Sequence, residues 1–214
     1  MDAENKRVYL INYTFSENGR GVSTYAIRLY NELLKRKVNI EKIATNDILK
    51  KIKLGRELKN SLFFITRSKI IKGKFIHAIA PNVIPQKYLN LPKIKITTVH
   101  DFYIFDDNYI NKTKVRMSYI KRIAYDRLIK KQRKDYYNLK DYDFVFARNK
   151  NILQKLMSDF GVDKERVEVS NDIIPDKFQP LNIEKDKNKV IIGFINNFTE
   201  NKTEKLKLFI IPSV

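Results

Sequence analysis

A short glycine turn occupies a place in the sequence where an anion could bind. Gly19, Arg20 and Gly21 follow an apolar run at residues 7–15 and lead into an amphipathic helical pattern at 21–37. Glycine lets a ligand approach the backbone closely, and the first turn of a helix presents amides and the positive end of its dipole. Arg20 adds a formal charge. The pattern predicts phosphate binding, although a plain tight turn before a helix would use the same glycines.

The spacing around this turn fits neither of two common phosphate-binding motifs. A dinucleotide fingerprint needs G-x-G-x-x-G and an acidic residue about 20 positions later, and the third glycine is missing here. A P-loop needs Gly-Lys followed by Ser or Thr, which is also absent. The turn alone therefore leaves the kind of phosphate open.

The two histidines, His77 and His100, are the next candidates for chemistry. His100 and Asp101 end the run "KIKITTVHD", and a histidine at a strand end can exchange hydrogen bonds with a bound hydroxyl. His77 has a similar place in "KFIHAIAP". A structural role is the alternative for both histidines. No second carboxylate stands at a spacing that would form a general-base pair with Asp101.

The composition excludes several kinds of site and of protein. The chain has no cysteine, which rules out disulfides, thiolate metal sites and cysteine nucleophiles, and two histidines are too few for a histidine-rich metal centre. We therefore expect no metal and no cofactor. No run reaches the roughly 20 apolar residues that would cross a bilayer. The N-terminus shows no signal core, so we expect a cytoplasmic protein.

A formal net charge of +19 predicts attraction to an anionic partner. Nucleic acid, acidic lipid headgroups and nucleotide phosphates all qualify, and a basic surface without a partner is the alternative. We do not expect nucleic acid, because no zinc finger, RNP signature or helix-turn-helix occurs.

Two basic stretches interleave charge with apolar residues. For residues 42–74, contact with an anionic membrane and a solvated outer helix both remain open. For residues 112–134 we favour an outer helix that buries its apolar side in the core.

The elements that must position these residues alternate between strand and helix. Strands are predicted at 7–15, 38–45, 74–81, 93–101, 142–148, 166–172 and 189–195, and helices at 21–37, in two pieces of 46–73 broken near Gly55, at 111–137 and at 149–161. Asn149 is the predicted cap of the last helix, and Gly161 is its predicted stop. This order predicts an α/β fold, a doubly wound Rossmann-like parallel sheet with helices on both faces. Ligands of such folds bind beyond the carboxyl ends of the strands. The polar residues there are Asn12 to Gly21, His77, His100 with Asp101, Arg148 with Asn149, and Asn171 with Asp172.

Several stretches, taken in order, resemble one enzyme family. They are "GRGVSTYAIRLYNELLKRK", "FIHAIAP", "ITTVHD", "DFVFARNKNILQKLMSDFGVDKERVEVSNDIIPDKFQP" and "VIIGFINNFTENKTEKL". This ordered set resembles the N-terminal half of a GT-B glycosyltransferase of the large retaining family four. The resemblance covers most of the chain.

The resemblance implies two Rossmann-like domains with a cleft between them, in which the second domain holds most of a nucleotide-sugar donor, as substrate, and the first holds most of a lipid or glycan acceptor. His100, the candidate catalytic residue, matches the histidine that contacts the sugar, and Lys202 matches the lysine that neutralises the departing diphosphate without a metal. The residues assigned to the donor phosphates are Gly19, Arg20, Gly21, Asn197 and Lys202. We assign His77 and Asp101 to the acceptor side of the cleft.

The chain departs from the family pattern in three ways. Asn196 and Asn197 replace the usual glycine and arginine, so one of two diphosphate cations is missing, and Asn171-Asp172 replaces the usual Asn-Gly. The chain also ends at Val214, early in the second domain. We expect an acceptor-side domain at 1–180 and, at 181–214, a linker with the first strand and helix of an incomplete donor domain.

This domain organisation leads to expectations about activity and location. We expect no sugar transfer by the chain alone, because a separate donor-domain chain or a homo-oligomer would have to complete the cleft, or the chain is a truncated product. A non-catalytic basic domain that binds a membrane surface, a phosphorylated ligand or nucleic acid is the alternative. If the protein contacts a membrane, we expect peripheral binding to its inner face.

Overall fold

The computed structural model describes residues 7–18, 21–47, 55–170, 189–192 and 209–212. Its largest element is a six-stranded parallel sheet in the order β2-β1-β3-β4-β5-β6. The strands are β1 (Val8–Asn12), β2 (Ile40–Ala44), β3 (Phe75–Ala78), β4 (Ile94–Val99), β5 (Phe144–Ala147) and β6 (Val167–Val169). The described helices are α1 (Gly21–Lys35), α2 (Arg56–Arg67), α3 (Asp107–Val115), α4 (Tyr119–Tyr137) and α5 (Lys150–Ser158). The predicted α/β, Rossmann-like parallel sheet with helices on both faces is confirmed.

Side-chain alternation along the strands divides the core into two layers. In β1, Leu10 faces α1 and packs with Tyr25 and Ala26, whereas Tyr9 and Ile11 belong to the layer that contains residues of α2, α4 and α5. The connection from β1 to β2 runs toward one edge of the sheet, and the later connections run toward the other. Right-handed crossovers therefore place α1 on one face and α2, α4 and α5 on the opposite face.

The strand order reverses between β1 and β3. Val8 of β1 lies opposite Ile40 of β2 on one side and opposite Phe75 of β3 on the other. In open parallel sheets, ligands bind outside the carboxyl ends of the strands at such a reversal. The first residues beyond β4 and β5 at this edge are His100 and Arg148.

The basic region that the sequence predicts as one helix at 111–137 is two helices. The first begins earlier than predicted, at Asp107, because the Asp106 carboxylate caps it by accepting a hydrogen bond of 3.1 Å from the Tyr109 backbone N–H. It ends at Val115, and α4 starts at Tyr119. The break lies at residues 116–118.

Both predicted end signals of α5 are confirmed. The Asn149 side chain accepts a hydrogen bond of 2.9 Å from the Ile152 backbone N–H at the start of the helix. Gly161 follows its end with a φ of 62°, in the left-handed region where glycine pays no Cβ penalty. The Val162 N–H then bonds back to the Leu156 carbonyl at 3.0 Å.

The chain separates into two compact units, Met1–Ile174 and Pro175–Val214. In the second unit, β7 (Lys189–Ile192) confirms the strand predicted at 189–195, and it pairs antiparallel with β8 (Phe209–Pro212), a strand that was not predicted. The division at 180 and 181 stays a prediction. Among the residues that the structure describes, no helix is both long and apolar enough to cross a bilayer.

The two left-handed residues at helix ends predict stability changes of opposite sign. Lys37 has a φ of 59° after α1, where its N–H and that of Val38 bond to the Leu34 and Leu33 carbonyls at 2.9 and 3.0 Å. The left-handed conformation costs a side-chain-bearing residue roughly 1–2 kcal/mol, and the extra freedom of glycine in the unfolded chain returns about 0.4–1 kcal/mol. We expect Lys37→Gly to stabilise, and Gly161→Ala to destabilise, by about 0.5–1 kcal/mol in urea unfolding.

Gly21→Ala is the matched control for this pair. A Cβ at Gly21 meets no atom within 4 Å, as at Gly161, but the φ of Gly21 is not positive. A loss of stability at Gly21 equal to that at Gly161 would contradict the conformational explanation.

Candidate functional site

Four polar or aromatic side chains from separate elements meet at the carboxyl edge of the sheet. Tyr25 comes from α1, and His100, Arg148 and Ser170 directly follow β4, β5 and β6. The ring centroids of Tyr25 and His100 are 4.9 Å apart in an edge-to-face arrangement, and the Tyr25 hydroxyl lies 3.4 Å from Ser170 Oγ. We call these four residues the edge cluster.

The surroundings of His100 fix its tautomer and charge. His100 Nε2 lies 2.8 Å from the Ile79 carbonyl oxygen, which can only accept, so Nε2 carries the proton. Burial lowers the pKa of His100 to about 4; the bond to Ile79 opposes this shift and the charge of Arg148 adds to it. The imidazole is therefore neutral at pH 7, with Nδ1 as a hydrogen-bond acceptor. Such a ring is suited to holding a hydroxyl rather than to removing its proton.

Arg148 brings a cation into the edge cluster. Its guanidinium carbon lies 4.8 Å from the centroid of the Tyr25 ring, a cation-π arrangement that holds the charge against an almost fully buried tyrosine. Tyr25 thus contacts both His100 and Arg148 with its ring. The result is a positive charge at the edge where ligands of parallel sheets bind.

Gly21 leaves space beside the edge cluster. It precedes Tyr25 by four residues, so the two positions lie on the same side of α1, one turn apart. Gly21 is exposed, and a Cβ built there would meet no other atom within 4 Å. Neither its conformation nor its packing requires glycine. A site that admits a ligand close to the first turn of α1 would require one.

Asp101 follows His100 in sequence but lies on the other side of the sheet. Its carboxylate accepts a hydrogen bond of 3.3 Å from the Tyr103 backbone N–H, and its carbonyl accepts one of 3.0 Å from the Tyr136 hydroxyl of α4. Both bonds hold the turn that follows β4. The structure does not bring Asp101 to the edge cluster.

His77 lies within the sheet, on the same face as α1. Its Nε2 is 2.8 Å from Thr98 Oγ1, and its ring lies 5.6 Å from that of Phe146. Burial, and to a smaller extent His100, lower the pKa of His77 to about 4. The hydroxyl of Thr98 thus satisfies a buried, neutral ring.

The remaining predicted site residues are not all placed. Gly19, Arg20, Asn197 and Lys202 lie outside the described residues. No group of three or more His, Asp or Glu within residues 7–18, 21–47 and 55–170 is arranged to hold a metal ion.

The sequence missed two members of the edge cluster. Tyr25 lies within the amphipathic pattern predicted at 21–37, and only its hydroxyl distinguishes it from an ordinary core residue. Ser170 follows a strand that ends three residues earlier than predicted, at Val169 instead of Asp172. Asn171 and Asp172, the strand-end residues that the sequence indicates, lie outside the described residues. Arg148 was named as a strand-end residue, but its contact with Tyr25 was not foreseen.

A cavity of about 360 Å³ lies on the opposite face of the sheet. Residues of α2, of α4 and of the connection from β3 to β4 line it: Ser61, Ile65, Pro85, Gln86, Lys87, Tyr88, Lys131, Lys134 and Asp135. Asp135 is buried, and its Oδ2 lies 3.6 Å from Lys131 Nζ, an ion pair too long for a hydrogen bond. Burial raises the pKa of Asp135 to about 6, against the lowering effect of Lys131.

Comparison with known proteins identifies no family for the chain, so a proposal about function depends on the geometry of the edge cluster. No protein-family model matches the chain, and no curated protein is similar to it in sequence.

The state of His100 predicts a simple pH dependence in NMR spectra. Because its pKa is lowered to about 4, its ring nitrogen signals should keep the pattern of an Nε2–H tautomer from pH 8 down to about pH 5. The chain contains only one other histidine, so spectra of His77→Gln assign both rings. Titration of His100 near its ordinary value of 6.5 would contradict the buried, neutral ring.

Asp135 predicts that stability decreases as pH rises through its titration range. Its pKa is 3.8 ordinarily and about 6 in the folded protein. Between these values the folded state holds more protons than the unfolded state, so the free energy of unfolding falls with rising pH. We expect Asp135→Asn to gain stability relative to the wild type between pH 4 and pH 7, by on the order of 2 kcal/mol.

Thermal unfolding at several pH values measures this gain. Asp159→Asn, the same substitution at an exposed position, is the control. A difference between Asp135→Asn and wild type that is independent of pH would show that Asp135 is ionised at its ordinary pKa.

Proposed function

We propose that the protein is the acceptor-side domain of a GT-B-like glycosyltransferase, which transfers a sugar from a nucleotide-sugar donor to a lipid or glycan acceptor. The edge cluster is the observation that carries this proposal. A hydrogen-bond acceptor for hydroxyls, His100, and a cation for phosphate, Arg148, stand together at the edge of the sheet. Both contact Tyr25, one turn from the uncrowded Gly21.

The proposed chemistry needs a positive charge beside the bond that breaks between the sugar and the phosphate of the donor. The bond between the sugar C1 and its phosphate oxygen breaks, the acceptor oxygen bonds to C1, and the acceptor proton leaves with the phosphate or the solvent. The nucleoside diphosphate gains negative charge in this step. Arg148 and the first turn of α1 would stabilise that charge without a metal. Arg20, Asn197 and Lys202 keep the donor-phosphate roles that the family resemblance implies.

His100 would orient the donor in this step. Its Nε2–H is committed to the Ile79 carbonyl, so Nδ1 would accept a hydrogen bond from a sugar hydroxyl. Because the ring is neutral at pH 7, it adds no charge that would compete with Arg148 for the phosphates.

A non-catalytic domain that binds a phosphorylated ligand is the second candidate. The net charge of +19 favours it, because that charge attracts anions whether or not a reaction follows. Both candidates require ligand binding at the edge cluster. They differ in whether a bound nucleotide sugar is consumed once a donor-domain chain is supplied.

Substitutions in the edge cluster test the shared requirement for binding. Uridine, guanosine and adenosine diphosphate sugars are titrated by saturation-transfer NMR. We expect at least one of them to bind, and Arg148→Gln to weaken its binding by about tenfold or more, since a hydrogen bond to a charged group contributes roughly 1.5–3 kcal/mol. His100→Gln should weaken it less, by roughly two- to tenfold, because the hydrogen bond between a neutral ring and a hydroxyl contributes only about 0.5–1.5 kcal/mol. Arg67→Gln, at an exposed position on α2, is the control.

Gly21→Leu tests whether a ligand needs the open space at Gly21, because this substitution should block binding without changing the stability of the fold. The side chain should occupy the open space beside Tyr25, leave the melting temperature unchanged and abolish binding. The single variants Gly21→Leu and Arg148→Gln could retain binding while a double variant with Lys131→Gln and Lys134→Gln loses it. That pattern would place the ligand in the cavity on the opposite face. That result, or no binding by any nucleotide sugar, would overturn the proposal.

A further inference from the structure

Helices α3 and α4 form an antiparallel hairpin. Arg133 Nη2 of α4 lies 2.6 Å from Asp107 Oδ1 of α3, and Lys114 near the end of α3 pairs with Asp126 of α4. From the first pair to the second, the position advances along α3 from 107 to 114 and moves back along α4 from 133 to 126, so the two helices run in opposite directions. The turn at 116–118 therefore lies at the far end of the hairpin. We call residues 115–123 the hairpin tip.

The hairpin tip projects beyond the core. The first buried residue of α4 is Ile129, ten residues after the helix begins at Tyr119. At 1.5 Å per residue, α4 extends about 9 Å before the partly buried Tyr125 packs against the core, and about 15 Å before this first fully buried residue. The base, by contrast, is held firmly, because Arg133 Nε also donates a hydrogen bond of 2.7 Å to the Ile104 carbonyl.

Large apolar side chains are exposed on this tip. Val115, Tyr119 and Ile120 have exposed fractions of 75%, 77% and 79%, and Ile123 has 39%. On α4, positions 119, 120 and 123 lie on the side opposite the buried Ile129, Gln132 and Tyr136. The expectation of an outer helix that buries its apolar side is confirmed for the second half of α4 and is wrong for the first half. Clustered apolar residues of this kind mark interaction surfaces.

Positive charge surrounds the exposed apolar residues. Residues 112–127 contain six Lys or Arg and a single acidic residue, Asp126, which is paired with Lys114. Lys112, Arg116 and Lys121 are exposed, as are Arg122 and Arg127. A convex tip that combines aliphatic side chains with cations meets both needs of an anionic bilayer, namely apolar insertion at the interface and charge pairing with headgroups.

We propose that the hairpin tip is a docking site for anionic lipid bilayers. Val115, Tyr119, Ile120 and Ile123 enter the interface, while Arg116 and Lys121 of the tip, together with the neighbouring Lys112, contact lipid phosphates. Charge complementarity selects the bilayer as the partner. Nucleic acid would use the cations but would gain little from exposed Ile120 and Val115, and a second copy of this chain would bring like charges together. This proposal does not depend on sugar transfer.

Vesicle co-sedimentation tests the two contributions separately. We expect binding to vesicles of equal parts phosphatidylcholine and phosphatidylglycerol, and much weaker binding to phosphatidylcholine alone. A triple variant with Lys112→Gln, Arg116→Gln and Lys121→Gln should bind vesicles about a hundredfold more weakly, since each cation near an anionic surface contributes roughly a factor of five. The control is a second triple variant that removes the same charge at exposed positions elsewhere: Lys69→Gln, Lys72→Gln and Lys164→Gln.

A second pair of variants, one at the hairpin tip and one on α2, tests the contribution of apolar side chains to vesicle binding. Tyr119→Ser with Ile120→Ser and Ile123→Ser should abolish vesicle binding at moderate salt. Leu58→Ser with Ile65→Ser removes exposed apolar residues of α2 and should leave binding unchanged. Equal losses in both variants would overturn the proposal, as would vesicle binding that the tip variants retain.

Tryptophan fluorescence provides a direct measure of insertion. The chain has no tryptophan, so Tyr119→Trp reports only on the tip, and its emission should shift to shorter wavelength when anionic vesicles are added. Leu58→Trp should show no shift. A shift produced by duplex DNA alone would instead indicate a nucleic-acid surface, and a shift that follows protein concentration without lipid would indicate contact between copies. Either outcome would overturn the proposal.

Discussion

Parallel strand direction is the constraint on which the rest of the structure depends. Every one of the six strands must return to the same starting edge through a crossover, so every strand ends at the opposite edge. Residues that are far apart in sequence, such as Ile79, His100 and Arg148, become neighbours for this reason. The first helix then contributes Tyr25, which lies against the residues that follow three of the strands. The edge cluster is thus a consequence of sheet topology, with α1 as the element that closes it.

The two faces of the sheet contribute differently to this edge. On the face of α2, α4 and α5, the stacked rings of Phe102 and Phe160 lie 5.2 Å apart and Tyr136 packs beside them. These contacts anchor the segment directly after His100. On the face of α1, the buried His77 and Thr98 satisfy each other. The aromatic layer therefore anchors the chain that follows His100, while the Ile79 carbonyl and the ring of Tyr25 contact the imidazole itself.

The sequence predicted those features of the structure that depend on local interactions, such as apolar patterning and helix capping. The alternation of strand and helix patterns predicted the parallel sheet, and Asn149 and Gly161 predicted both ends of α5, because capping is a local interaction. The break at residues 116–118 was missed, since this stretch contains neither glycine nor proline, the residues that most clearly mark the end of a helix. The edge cluster was foreseen only in part. His100 and Arg148 were visible as strand ends, whereas the role of Tyr25 depends on which neighbour its ring meets across the sheet.

The length of α4 sets a distance that would matter at a membrane. Tyr136, near the end of that helix, donates its hydroxyl hydrogen bond to the carbonyl of Asp101, next to His100. Tyr119 at the other end lies 17 residues away, so the two ends are separated by about 25 Å. With the tip at a bilayer surface and the helix upright, the edge cluster would stand roughly that far above the headgroups. An acceptor anchored in the same bilayer would then have to carry several extended sugar units to reach it, whereas a short glycolipid would be accessible only to a strongly tilted protein.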